Sequence, residues 1–479
     1  MYSNLIISFK IKRLVVAEIL KVIMVRIASQ QAVKNKSDII KIRINIMERN
    51  VRNKVVSAVI GNTLEWYDFL IYGFLATTIA KLFFPEKNEL TSLLLALGTF
   101  GVGFLMRPVG GILIGYYADK HGRKSALLLI IGIMTLAVSM IAFAPTAASI
   151  GIAAPILIVI SRLLQGFATG GEYASSTAFV IEAAPDDKKG LYGSWQFFGQ
   201  CFAILLGSSV AAAVNHFMSP ETLNSWGWRI PFILGLLICP VGLWIRSRLD
   251  ENESYLQSKA EVTDSHAQIK QTVKQSIREI ILSMGLTVSA TASVYVVLVN
   301  TPTYAHTKLG LDMGSALFIQ ALAVMIMMFI IPVSGMLSDH FGRKPVLMTG
   351  LLILLLTALP LYHFVIAAPS LTRLLFMQFV LCVGIAIMFG PSPAAISEQF
   401  NILGRTTSMS IAYNMAVMLF GGFAPFIVTW LSSAMDLAAP GYYLMFGVIV
   451  GIFAVLNMRE TSPRLWRNKS NLKQISPSV

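Results

Sequence analysis

Charge is what this chain has least of: Asp, Glu, Lys and Arg make up only 13% of 479 residues, about half the share of an ordinary soluble domain. That excludes a water-soluble globular protein. Cysteine is almost as scarce, and Cys201, Cys239 and Cys382 all sit in apolar blocks with no CxxC spacing. Neither a disulfide frame nor a metal site follows. The phosphate loop GxxxxGK[ST], HExxH and the EF-type calcium loop are also missing, which argues against pumping driven by ATP bound to this chain; no enzyme chemistry is required and no cofactor is expected.

What is present is apolar sequence in repeated blocks, at 55% hydrophobic residues overall, each block long enough to cross a hydrocarbon layer about 30 Å thick. Bounded by charge, Gly and Pro, the blocks predict spans near 55–82, 92–117, 125–144, 153–181, 190–215 and 229–247. Six more are predicted near 279–305, 313–336, 345–365, 370–398, 404–432 and 440–458. The expected class is an all-α membrane protein of twelve transmembrane helices in two six-helix bundles, 55–247 and 279–458. A basic segment 1–54 precedes them, a linker 248–278 separates them and a tail 459–479 follows.

The net charge of +14 lies almost wholly between the spans, with twelve basic residues against three acidic ones before Val55. Nucleic-acid binding is therefore not indicated. Lys10, Lys12, Arg13, Lys21 and Arg26 interrupt the first apolar stretch, so a cleaved signal peptide is not expected. An amphipathic surface helix, a basic tail, or codons upstream of a natural start at Met47 are the readings of this segment, the last being favoured. Arg123, Lys124, Arg246, Arg343, Lys344 and Arg405 fall on one side of the span count. The positive-inside rule then places both ends and the linker in the cytoplasm.

The halves repeat. GYYADKHGRK at Gly115–Lys124 returns as GMLSDHFGRK at Gly335–Lys344, and Glu182 at the end of the fourth span is echoed by Glu398 at the end of the tenth. Two facing copies of a six-helix unit can expose a central site to each face in turn.

The GxxxDxxGRK loop in both halves resembles the signature of the major facilitator superfamily. Within it, NTLEWYDFLIYG, LMRPVGGILIG, RLLQGFATGGEYASS and WGWRIPF resemble the metabolite:proton symporters, whose familiar members are bacterial proline/betaine transporters and citrate and 2-oxoglutarate permeases. The resemblance covers about residues 50–460. It implies the twelve-helix fold, a bacterial inner-membrane location, and a repeated loop that stabilises the outward-facing state.

Glu65, Asp68, Arg107, Arg162 and Glu172 are charges at lipid depth, which cost a few kcal/mol each unless they serve a purpose. Glu65, Arg107 and Glu172 fall at one depth by helical rise. Arg162, Gln165, Thr169, Glu172 and Ser176 share one face of the fourth span. Three carboxylates against two guanidiniums leave one carboxylate over, which suits a proton carrier, so the cluster is expected to carry the coupling proton. Trp66, Tyr67, Tyr72, Tyr173, Tyr295 and Tyr304 are the expected substrate walls, since rings hold a cation and an arginine pairs with a carboxylate. Gln165, Asn300 and Asn414 are further contact candidates.

At the repeated loops Asp119 is placed to cap a helix amino end and Arg123 to pair with Glu182, with Asp339, Arg343 and Glu398 as counterparts in the second half. Together these six form an expected cytoplasmic gate. Glycines crowd the second and fourth spans, and Gly390, Pro391 and Pro393 predict a break in the tenth. The expected function is uptake of a small polar metabolite with protons by a monomer in the lipid bilayer. A zwitterion such as proline or betaine leads, and citrate or 2-oxoglutarate is the alternative. A solute sensor that does not translocate, or an exporter working by proton antiport, are readings from other classes.

Overall fold

The computed structural model describes residues 56, 59–121, 123–247, 273–400 and 405–462, with side chains left out at 115–116, 118–127, 179, 183, 238–239 and 241–247. The expected basic segment, most of the linker and all but the first residues of the tail lie outside the described residues. What remains is helical throughout, in twelve spans. Nine helices among the described residues are long and apolar enough to cross a membrane by length and composition, and two shorter apolar helices, Leu128–Ala142 and Gly227–Leu237, stand at the third and sixth spans. The first span is helical over 59–74 and Ala76–Phe83.

Several spans are broken, and the breaks position the site. The second stops at Leu105 and restarts at Arg107. Pro108 explains this, because it has no N–H to donate and its ring collides with the carbonyl one turn earlier. The fourth stops at Thr169 and restarts at Glu172 across Gly170 and Gly171. The carbonyl of Gly170 is satisfied from the other half of the molecule, where Asn414 Nδ2 donates to it at 2.7 Å. The tenth span stops at Phe389 and resumes at Ser392, where Gly390 and Pro391 stand.

The seventh span departs most from expectation. Between Ile277–Ala292 and Thr301–Leu309 it is wound as a π-helix over Ser293–Asn300. Wider winding leaves carbonyls to be satisfied by side chains: Gln378 Nε2 donates to Val297 O at 3.0 Å and Thr301 Oγ1 to Val296 O at 3.1 Å.

Small residues bring backbones together. Gly103 on the second span lies so near the fourth that a Cβ there would stand 2.9 Å from the carbonyl oxygen of Arg162. The same holds between halves, where a Cβ at Gly73 would meet Val299 at 2.9 Å and one at Gly101 would meet the Phe423 ring at 2.6 Å. Such approaches replace the hydrophobic effect as the packing force where the solvent is lipid.

Candidate functional site

Between the two halves lies a pocket lined from both of them. The first half contributes Trp66, Tyr173, Phe197 and Gln200. The second contributes Thr287, Thr291 and Tyr295 from the seventh span, Phe389 and Ser392 from the tenth, and Tyr413 from the eleventh, with aliphatic side chains between. No charged side chain is among the lining residues. Aromatic pairs join the halves at its edges: Tyr173 stacks on Tyr413 with centroids 3.7 Å apart, and Phe197 on Phe389 at 4.1 Å. Tyr295 meets Phe100 and Phe104 of the second span at 5.9 and 5.4 Å.

The expected charge knot is present in part and sits behind this wall. Arg162 is fully buried, with its guanidinium 4.2 Å from the ring centre of Phe69, 4.8 Å from Tyr72 and 4.9 Å from Phe100. Its Nη1 donates to Gln165 Oε1, while Nε and Nη2 make no hydrogen bond. Arg107 lies 4.9 Å from the same Phe69 ring, 4.5 Å from Phe104 and 5.9 Å from Trp66, and its Nε likewise has no partner. The two charges are thus no farther apart than the sum of their distances to Phe69. Guanidinium, weakly hydrated and planar, is the cation that tolerates such a ring-lined place. Glu65 and Arg107 both act electrostatically on the Tyr413 hydroxyl, so both lie beside that wall of the pocket. Glu172 is buried at the start of the resumed fourth span.

Asp68 is elsewhere. It is buried facing the sixth span, so close that a Cβ at Gly235 would collide with its Oδ1, and that oxygen accepts no hydrogen bond. The structure therefore does not bring Asp68 together with the arginines: three residues further along the helix turn it to the side facing its own bundle. The expected tally of five charges in one knot is corrected to a group without Asp68.

The expected walls divide in the same way. Trp66, Tyr173 and Tyr295 line the pocket. Tyr67 instead donates to Pro231 O at 2.9 Å, Tyr72 to Ala96 O at 3.1 Å and Tyr304 to Leu437 O at 2.8 Å, each tying helices together away from it. Asn414 is the cross-half tie to Gly170, and Asn300 accepts from Thr429 at 3.4 Å. Gln200, Phe197, Phe389 and Tyr413 were not foreseen, because no charge or motif marks them in the sequence.

At the loop face the second repeat is assembled as expected. Asp339 accepts from the backbone N–H of Gly190 at 2.8 Å and of Leu191 at 2.9 Å, at the amino end of the fifth span. Arg343 holds Asp339 at 2.7 Å and grips both oxygens of Glu398 at 3.1 and 3.2 Å. In the first repeat the side chains of Asp119 and Arg123 lie outside the described residues. Glu182, expected opposite Arg123, meets Arg405 of the other half at 3.4 Å. Glu460, Thr461 and Ser462 also join this network unforeseen: Glu460 accepts from the N–H groups of Arg343 and Lys344 at 2.8 and 2.9 Å, and Thr461 donates to Glu398. A Glu followed by Thr and Ser just after the last span was the available signal.

The profile of the family described as "Sugar (and other) transporter" matches residues 54–466. The proline/betaine transporter of Salmonella typhimurium is 33% identical over 431 residues, covering 88% of this chain and 85% of that protein. The citrate-proton symporter of Klebsiella pneumoniae is 35% identical over 403 residues, covering 84% and 90%. Among solved structures, a partially occluded inward-open xylose transporter, XylE of E. coli, superposes with a TM-score of 0.70 at 19% identity, covering 86% of this chain and 98% of the other; that likeness establishes the twelve-helix fold. The chain belongs to the sugar-and-other transporter family of the major facilitator superfamily and is a membrane-spanning transporter.

Proposed function

We propose that this protein imports a compact zwitterionic solute, of the proline or betaine kind, together with protons across a bacterial inner membrane, with both termini in the cytoplasm. The observation that carries the reading is the lining of the pocket: rings of Trp66, Tyr173, Tyr295 and Tyr413 and no charged side chain. A citrate trianion would surrender its hydration there with no cation in contact. A zwitterion can place its ammonium over the rings and its carboxylate toward the end of the pocket backed by Arg107 and Arg162. The relatives named for proline/betaine and for citrate frame the same two candidates.

The proton is assigned to the carboxylates Glu65, Asp68 and Glu172. Asp68 leads among them, since its Oδ1 is buried with no hydrogen bond. Asp339, Arg343 and Glu398, with Asp119, Arg123 and Glu182, form the cytoplasmic gate in this reading. One proton moving through 100 mV supplies about 2.3 kcal/mol, or about fifty-fold accumulation of a neutral solute.

Radiolabelled uptake into proteoliposomes under an imposed pH gradient, over a panel of amino acids, betaines and organic acids, tests the reading. Accumulation of proline or glycine betaine that collapses with a protonophore is expected, and Asp68→Asn should retain solute exchange while losing gradient-driven accumulation. Accumulation of citrate or 2-oxoglutarate alone would refute the substrate.

A further inference from the structure

Two polar groups in the pocket are without partners, and they come from opposite halves. Gln200 on the fifth span is 2% exposed, and its amide Nε2 donates to nothing. Tyr295 on the π-wound stretch of the seventh span is 1% exposed, and its hydroxyl makes no hydrogen bond. Neighbouring hydroxyls are already committed within their own helices, Ser392 Oγ to Met388 O at 2.6 Å and Thr287 Oγ1 to Ser283 O at 2.8 Å. Burying a donor with no acceptor is unfavourable, so a pocket with two such donors and no lining carboxylate is built for a solute that brings acceptors.

We propose that Gln200 is the specificity-determining anchor for the carboxylate of the transported solute, with the Tyr295 hydroxyl as the second donor from the other half. This deepens the substrate reading above and rests on it. Gln200 offers N–H donors to the carboxylate, while Phe197, one turn earlier on the same helix, and Phe389 stacked on it are left for the cationic or apolar end. A solute held by Gln200 and Tyr295 together ties the first half to the second, so its binding favours the arrangement in which the halves close around it. A cation of the same size without a carboxylate leaves both donors stranded and is discriminated against on that ground.

The test uses the purified full chain in proteoliposomes, with radiolabelled glycine betaine as substrate and choline, which keeps the trimethylammonium group and lacks the carboxylate, as competitor. Gln200→Leu is expected to raise the KM for glycine betaine at least tenfold with Vmax within twofold, and to erase most of the preference over choline. Gln200→Glu should shift that preference further toward choline, and Gln200→Asn, which keeps the amide, should restore part of the affinity and report on folding. A fall in Vmax at unchanged KM, or equal weakening of glycine betaine and choline, would overturn the assignment. If the wild type accumulates 2-oxoglutarate and not glycine betaine, the zwitterion reading has failed. The anchor is then read from the KM for 2-oxoglutarate in Gln200→Leu, where a tenfold rise upholds it and no change removes it.

Discussion

Replacing Asp339 by Asn tests the loop-face contact between the halves. Asp339, Arg343 and Glu398 all belong to the second half, so the buried ion pairs among them, at 2.7 and 3.1 Å, persist whichever way the halves are tilted. The bonds from Gly190 and Leu191 at 2.8 and 2.9 Å belong to the first half and exist only while this face is closed. A hydrogen bond to a charged group contributes about 1.5–3 kcal/mol, and a carboxylate at a helix amino end gains up to about 2 kcal/mol when partly buried. Asn keeps one carbonyl acceptor but loses the charge and turns an N–H₂ toward the second donor. A loss of about 2–3 kcal/mol from the closed state follows, which moves the closed-to-open ratio by about 30- to 150-fold. The assay is the rate at which Thr291→Cys, in a chain whose native cysteines are replaced, reacts with an impermeant maleimide reaching it from the loop face. A rise of at least tenfold is expected. Asp186→Asn serves as the comparison: it removes a 2.7 Å pair with Lys189 in which Asp186 is 81% exposed, and exposed pairs contribute about 0–1 kcal/mol. Equal labelling of both variants and the wild type would refute the reasoning.

Three further outcomes are expected. Gly101→Phe would drive a side chain into the Phe423 ring, which already stands 2.6 Å from where a Cβ would go, holding the opposite face open; solute binding by the detergent-solubilised protein should survive while uptake is lost. Asn414→Ala removes the donor to the Gly170 carbonyl, a 2.7 Å bond across the halves worth about 1–3 kcal/mol to leave unmade, so Vmax should fall several-fold with KM little changed. Asp312 caps the eighth span by accepting from Ser315 N–H at 2.8 Å, and that bond holds its carboxyl below the ordinary carboxylate range. Since the folded value is depressed, the stabilisation is full above the unfolded pKa near 4 and disappears as pH falls through the folded value. Asp312→Ala should therefore cost about 1 kcal/mol at pH 7 and nothing at the acid end of a thermal-unfolding series; a difference independent of pH would contradict this.

The number of spans, the two-fold repeat and the loop network of Asp339, Arg343 and Glu398 were legible in the sequence. Each depends on something local: apolar length set against bilayer thickness, charge kept at helix ends, and a motif of fixed spacing that recurs. The breaks at Pro108, Gly170–Gly171 and Gly390–Pro391 are equally local, since they follow from a missing N–H or a missing Cβ; of these only the tenth-span break was anticipated. Which side of a span faces the other half is not local. Helical periodicity groups Glu65, Asp68 and Tyr72, yet only packing decided that Trp66 looks into the pocket, that Asp68 turns to Gly235 and that Tyr67 ties to the sixth span. The π-wound stretch of the seventh span and the convergence of Gln200 with Tyr295 arise from contacts between segments nearly a hundred residues apart, and no pattern within either segment encodes them. The sequence by itself determined that the chain crosses the membrane twelve times in two like halves, because burial in lipid is a property of each segment. Tertiary structure alone decided where the pocket is and what it presents to a solute, because that depends on which faces of those segments meet.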